Sequence, residues 1–323
     1  MFDKRLLTAP KQGMSRRQLL RVTAAGTLAA AGGVAGAAPR DGVGTAPKDD
    51  TGERFPPSGI TTYGDTATLG DGEIRPFTSA TPSGVPKYHG VEFDREVLTE
   101  PLPSAAELAA DRTSADPTYD DKYASTGGAL TVHRRESLQF FLPLPDADET
   151  PFTFLGLNWN PNGHPGGGGA WGVPHFDVHF HMLGTETVDA IEGPAYAPYD
   201  GIPAERIPDG YTRSPPKAAA QRYITDMGEH LAPKDAPELP GDPEAFTNTL
   251  IQGFVGVDGE PELAFVEPML TREYLRGVED TERFEVPQPS VYPHDGQHPT
   301  AYSVRADPAG DTVTVALQAF KSV

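Results

Sequence analysis

Residues 174–182 read Pro-His-Phe-Asp-Val-His-Phe-His-Met, and the alternation in this stretch decides how the chain is read around it. Successive side chains of a β-strand point to opposite faces. As a strand, the stretch sends Phe176, Val178, Phe180 and Met182 one way and His175, Asp177, His179 and His181 the other. The first face is wholly apolar and belongs in a core. The second presents three imidazoles and a carboxylate together. The chain has nine histidines, and three fall within residues 175–181, a concentration that calls for a chemical reason.

Geometry limits which of them share one ion. Residues i and i+2 on a strand stand about 6.5–7 Å apart at Cα, a span two imidazoles can close around a metal. His179 and His181 are the natural chelating pair on that reading. His175, about 13 Å from His179 on a straight strand, joins only where the strand bends or bulges. Otherwise His175 and Asp177 orient a ligand from behind. Further ligands must come from elsewhere in the chain. His230 in Asp226-Met227-Gly228-Glu229-His230 is one candidate. Glu267, after the apolar run Leu263-Ala264-Phe265-Val266, is another, because a carboxylate in such a context is costly unless paired or metal-bound. His164, in Asn162-Gly163-His164-Pro165, is a third. The expected divalent-metal set is thus His175, His179, His181, His230 and Glu267, and it suits zinc, manganese, iron or copper. The competing reading is a polar or hydrogen-bonded face lining a cavity. His89, His133, His294 and His298 stand singly and read as structural.

Outward from this stretch, short β-branched and aromatic runs alternate with Gly, Pro and Asp. They include 131–133, 138–142, 152–157, 249–255, 263–266 and 312–317. This pattern predicts a mainly β domain, a barrel or a sandwich, with long loops and a few short helices. Ser104-Ala105-Ala106-Glu107 carries a capping box and predicts a helix start. Segments 217–224 and 271–275 are also read as helical, and 189–216 as a long loop over a site or partner contact. The sequence offers no serine in a strained-turn motif. With 46 acidic residues, it singles out no carboxylate pair for glycosidase chemistry.

The N-terminal region adds a compartment. Met14-Ser15-Arg16-Arg17-Gln18-Leu19-Leu20 precedes an Ala/Gly-rich apolar stretch to Ala38, with Ala35-Gly36-Ala37 as a small-x-small cleavage motif. Residues 1–38 therefore read as a twin-arginine signal, too weakly apolar for a stable membrane span. Residues 39–60 read as a polar linker, and 61–323 as one domain. The absence of cysteine excludes disulfides, thiolate metal sites and a cysteine nucleophile. Taking the segment's six cations and one acid from totals of 26 and 46 leaves 20 and 45, a net charge of −25. A field of that sign disfavours nucleic acid and anionic membrane surfaces as partners. Its spread along the chain fits a protein kept soluble at high salt, with an ordinary acidic secreted protein as the alternative.

The string Asn158-Trp159-Asn160-Pro161-Asn162-Gly163-His164-Pro165, followed by Pro174-His175-Phe176-Asp177-Val178-His179-Phe180, resembles a family of exported β-rich bacterial and archaeal proteins of unassigned activity. One structurally studied member is under sigma/anti-sigma control in a thermophilic bacterium. Leu69-Gly70-Asp71-Gly72, Met227-Gly228-Glu229-His230 and Phe265-Val266-Glu267-Pro268-Met269-Leu270-Thr271 carry the resemblance further, across most of residues 62–320. It implies a β-rich fold and a ring-like homo-oligomer, and it maps onto His164, His175, Asp177, His179, His230 and Glu267. At position 181 other members hold an aromatic residue, which favours His175 and His179 with remote ligands over a His179–His181 pair. The functional expectation is an exported metal-binding protein of unassigned activity. The alternative is a non-catalytic envelope or stress protein whose His/Asp face lines a ligand cavity or an oligomer interface.

Overall fold

The computed structural model describes residues 54–119, 137–164, 167–193, 195–213, 222–292 and 294–323. The expected signal segment, most of the linker, the strand at 131–133 with His133, and residues 217–221 lie outside the described residues. Among the described residues, fourteen strands form two antiparallel sheets, and neither closes into a barrel. The mainly β expectation holds, and the architecture is a sandwich.

The first sheet runs in the order β1 (Thr61–Tyr63), β3 (Gly72–Ala80), β4 (Pro86–Asp94), β14 (Thr312–Ser322), β13 (Gln297–Asp307), β12 (Thr281–Glu285), with β2 (Ala67–Leu69) also on β3. The second runs β5 (Leu138–Pro143), β6 (Phe154–Asn160), β7 (His175–His181), β11 (Glu260–Thr271), β10 (Asn248–Val257), β9 (Glu229–Pro233), β8 (Tyr211–Arg213). The β10–β11 hairpin turns on Asp258-Gly259, whose φ angles of 51° and 86° match the twist that two-residue hairpins need.

Alternation along β7 decides what lies between the sheets. Phe176, Val178 and Phe180 are fully buried in the same core as Val91, Phe93, Val304 and Val315 of the first sheet. Phe93 and Phe176 meet across it at 5.2 Å. Burying side chains of this size stabilises by about 1.5–3 kcal/mol each. The outer face of the second sheet is buried as well. A second apolar cluster there joins Ile251, Phe265 and Met269 of the strands to Trp171, Tyr223, Met227 and Phe246 of the connecting segments. The histidine face of β7 therefore lies under a layer of loops, not in solvent.

Four short helices occur among the described residues: α1 (Arg95–Thr99), α2 (Ala105–Arg112), α3 (Thr185–Asp189) and α4 (Arg272–Gly277). The capping box expected at Ser104 and Glu107 is present on α2, and Thr271 caps α4. The described end of the segment expected to be helical at 217–224 is different. Tyr223 and Ile224 form bridges with Ala195 and Gly228, so tertiary pairing takes the backbone groups a helix would use. The 189–216 stretch also carries more structure than a bare loop, with a 3-10 turn at Ala204–Arg206 followed by β8. Among the described residues no helix is long and apolar enough to cross a membrane.

Candidate metal centre

Strand register builds the site row by row on the outer face of the second sheet. β7 lies between β6 and β11, pairing His175 with Asn160, Asp177 with Asn158, His179 with Gly156 and His181 with Phe154. On its other side Phe265 pairs with His181, Val266 with Phe180 and Met269 with Asp177, which sets Glu267 across from His179. β10 follows, with Ile251 beside Glu267 and Gly253 beside Phe265. β9 completes the face by pairing His230 with Gly253. Gly253 is needed here, because a Cβ would stand 1.9 Å from Phe265 Cζ. The Phe265 ring lies over that glycine and packs against His179, His181 and His230 at centroid distances of 4.9, 5.4 and 5.3 Å.

Two groups of ligand atoms result. In the first, His179 Nε2 lies 3.3 Å from Glu267 Oε1 and His230 Nε2 lies 3.6 Å from Glu267 Oε2. One ligand atom from each residue falls within 4.8 Å of the others. In the second, His175 Nε2 lies 3.0 Å from Asp177 Oδ1 and His164 Nε2 lies 3.6 Å from Asp177 Oδ2, again within 4.8 Å of one another. Asn160 Nδ2 donates to Asp177 Oδ2 at 2.8 Å. His164 reaches this position because Gly163 adopts φ +67°, where a Cβ would meet Trp171 O at 2.1 Å, and because His164 N donates to that same oxygen.

The hydrogen-bond pattern assigns the tautomers of two rings. His175 Nδ1 lies 2.7 Å from Val173 O, and His179 Nδ1 lies 3.3 Å from Gly156 O. A carbonyl only accepts, so Nδ1 carries the proton and Nε2 keeps a lone pair. Both Nε2 atoms, together with Asp177 Oδ1 and Glu267 Oε2, are buried without a hydrogen-bond partner among the described residues. The short nitrogen–oxygen separations are therefore contacts without hydrogen-bond alignment. A backbone carbonyl behind each imidazole is the usual second partner of a metal-ligating histidine.

Electrostatics sharpen the first group. Burial pushes the His179 imidazole down to about 4 and the His230 imidazole down to about 3. His230 sits deep among its neighbours, yet its side chain keeps 17% of its surface exposed and opens the group to solvent. Burial, and then the charge of Asp177, raise the Glu267 carboxyl well above the usual carboxylate range. Among the described residues no lysine or arginine pairs with Glu267. Left without a cation, this group sets two neutral imidazoles beside a carboxyl whose ionisation burial opposes. Burial also raises Asp177, but its two imidazole neighbours, His175 and His164, outweigh it and hold that carboxyl well below its ordinary value.

His181 stands outside both groups. Its ring stacks on Phe154 at 4.4 Å and 14°, and parallel to His179 at 5.6 Å and 15°. Side chains two apart on an unbulged strand stand side by side, so these two imidazoles stack where chelation would need them to converge. The His181 ring lies over Gly156, whose Cβ would meet its Nε2 at 2.8 Å. His175 joins His164 and Asp177, while His179 joins His230 and Glu267. The remaining described histidines are held locally: His89 Nε2 by Thr150 Oγ1, His294 Nε2 by Leu263 O and His298 Nε2 by His294 O.

Sequence reasoning did not single out Asn158 and Asn160, although their alternation in Asn158-Trp159-Asn160 is the readable sign that they share the histidine face. It also missed what anchors the strand of His230. The buried carboxylate of Glu229 is held by Arg213, by Arg222 Nε at 2.8 Å and by Tyr199 Oη at 3.2 Å. Nothing in the spacing of those residues announces that cluster.

Fold and site together define a β-sandwich with His/Asp/Glu groups able to hold a metal ion. Comparison with family models, with curated proteins and with solved structures found no match.

Proposed function

We propose that this is an exported protein that holds a divalent metal ion between His179, His230 and Glu267. The observation that carries the reading is the convergence of two imidazole nitrogens and a carboxylate within 4.8 Å, with His179 and Glu267 buried and, among the described residues, no lysine or arginine paired to the carboxylate. Two imidazoles and one carboxylate form a donor set used by zinc with an open fourth position and by iron(II). Manganese and copper complete the range that elemental analysis has to distinguish. An open position polarises a bound carbonyl or activates water, so a hydrolase, lyase or oxygenase is the reaction class this centre would serve. Export follows from Arg16-Arg17 before the apolar stretch, and function at high salt from the net charge of −25 beyond residue 38. The family resemblance supports a homo-oligomer.

Elemental mass spectrometry on natively exported protein, dialysed at high salt, tests the reading. Near-stoichiometric metal is expected, and His179→Ala should weaken its retention at least about tenfold, since even supporting residues around a metal account for that much. Unchanged metal content in that variant would defeat the proposal. A second reading, a non-catalytic envelope protein, draws on depth: His175, Asp177, His179 and His181 are all fully buried, as suits a seated ion. Turnover of any substrate that depends on the metal would exclude it.

A further inference from the structure

We propose that the centre binds two ions side by side, the second held by His164, His175 and Asp177. This deepens the metal-binding reading above and rests on it. The two groups meet only at β7 and share no residue, so each brings its own three ligand atoms. Asp177 and His179 stand two residues apart on that strand, about 6.5–7 Å at Cα. The ions are thus neighbours, each with its own three protein ligands.

Three features of the second group point to a cation. His175 offers a buried Nε2 lone pair whose ring is oriented from behind by Val173 O. That lone pair faces Asp177 Oδ1 at 3.0 Å without a hydrogen bond. Directly across from Asp177 on β6, the side-chain amide of Asn158 is fully buried, and neither its nitrogen nor its oxygen has a partner among the described residues. A buried amide with both ends unsatisfied is rare and costly, and one standing beside a ligand carboxylate has a natural use in binding what the ion binds. The occupied pair would set two dications against two carboxylates, leaving a surplus of positive charge under the loops. Small anions such as hydroxide or a carboxylate, one for each ion, are the ligand class that balances it.

The test uses the full exported chain, stripped with chelator and reloaded separately with Zn²⁺ and with Mn²⁺ at high salt. Elemental analysis should give two ions per chain, one in Asp177→Asn, one in His179→Ala and none in the double variant. His164→Ala, at a position on the loop that leaves the core intact, should also give one. Electron paramagnetic resonance of the Mn²⁺ form should show dipolar broadening that either single variant removes. One ion in the wild type, retained in both Asp177→Asn and His164→Ala, would overturn the second site while leaving the first. No ion in the wild type would overturn both.

Discussion

Glu267→Gln separates metal binding from folding. In the chelated protein the Glu267 carboxyl is 1% exposed and burial pushes its ionisation well upward, so glutamine puts a neutral group of the same shape where burial opposes a charge. The sign follows from linkage. A carboxyl whose folded pKa is raised stabilises fully below about pH 4.5 and loses that contribution as pH rises toward the folded value. The amide has no such loss, so chelated Glu267→Gln should be at least as stable as chelated wild type at pH 7, and the two should converge below about pH 4.5. Metal reverses the order. At an ion concentration of about 100 Kd, binding stabilises the wild type by about 2.7 kcal/mol. For a domain of this size that raises Tm by about 5–10 °C. An amide cannot supply the anionic ligand. A 100-fold weaker affinity would leave about 0.4 kcal/mol, or about 1 °C, at the same concentration. Calorimetry with and without chelator reads both numbers. A variant that keeps the full metal-induced rise, or that loses several kcal/mol when chelated, would refute the reasoning.

Two further perturbations probe the frame around the site. Burial pushes the His89 imidazole down to about 3, so stability present above about pH 6.5 should fall as pH drops toward 3, by up to about 4–5 kcal/mol from this residue. His89→Phe, placed among Phe152 and Phe320, should shift the acid-unfolding midpoint to lower pH, and an unmoved midpoint would contradict the assignment. Gly253→Ala would drive a methyl group to within 1.9 Å of Phe265 Cζ, displacing the ring that packs on the ligands His179 and His230 and on His181. Overpacking of this kind costs about 1–3 kcal/mol. Thermal unfolding should register that loss and metal retention should fall with it; unchanged values would mean that the ring relaxes freely.

Much of the fold was legible because its signals are local. The alternation at 175–181 identified both faces of β7, the capping box located the start of α2, and the runs at 138–142, 249–255 and 312–317 fell on β5, β10 and β14. The expected helix at 217–224 was misread at its described end, where Ala195 and Gly228 capture backbone groups that composition alone assigned to a turn of helix. Whether the strands closed a barrel was equally beyond the pattern, since alternation is the same in both architectures.

The candidate site divides along the same line. From the sequence alone it follows that His175, Asp177, His179 and His181 share a face, because a strand's side-chain period of two is a property of the backbone. The sequence also shows that Glu267 sits in an apolar run where a carboxylate needs a partner. Which partner it finds was decided only by tertiary structure. The register of β11 against β7 carries Glu267 to His179, β10 lets His230 approach over Gly253, and the turn at Gly163 delivers His164 to Asp177. Those groupings join residues 13 to 88 positions apart in sequence, and a one-residue slip of any strand would turn its ligands to the opposite face.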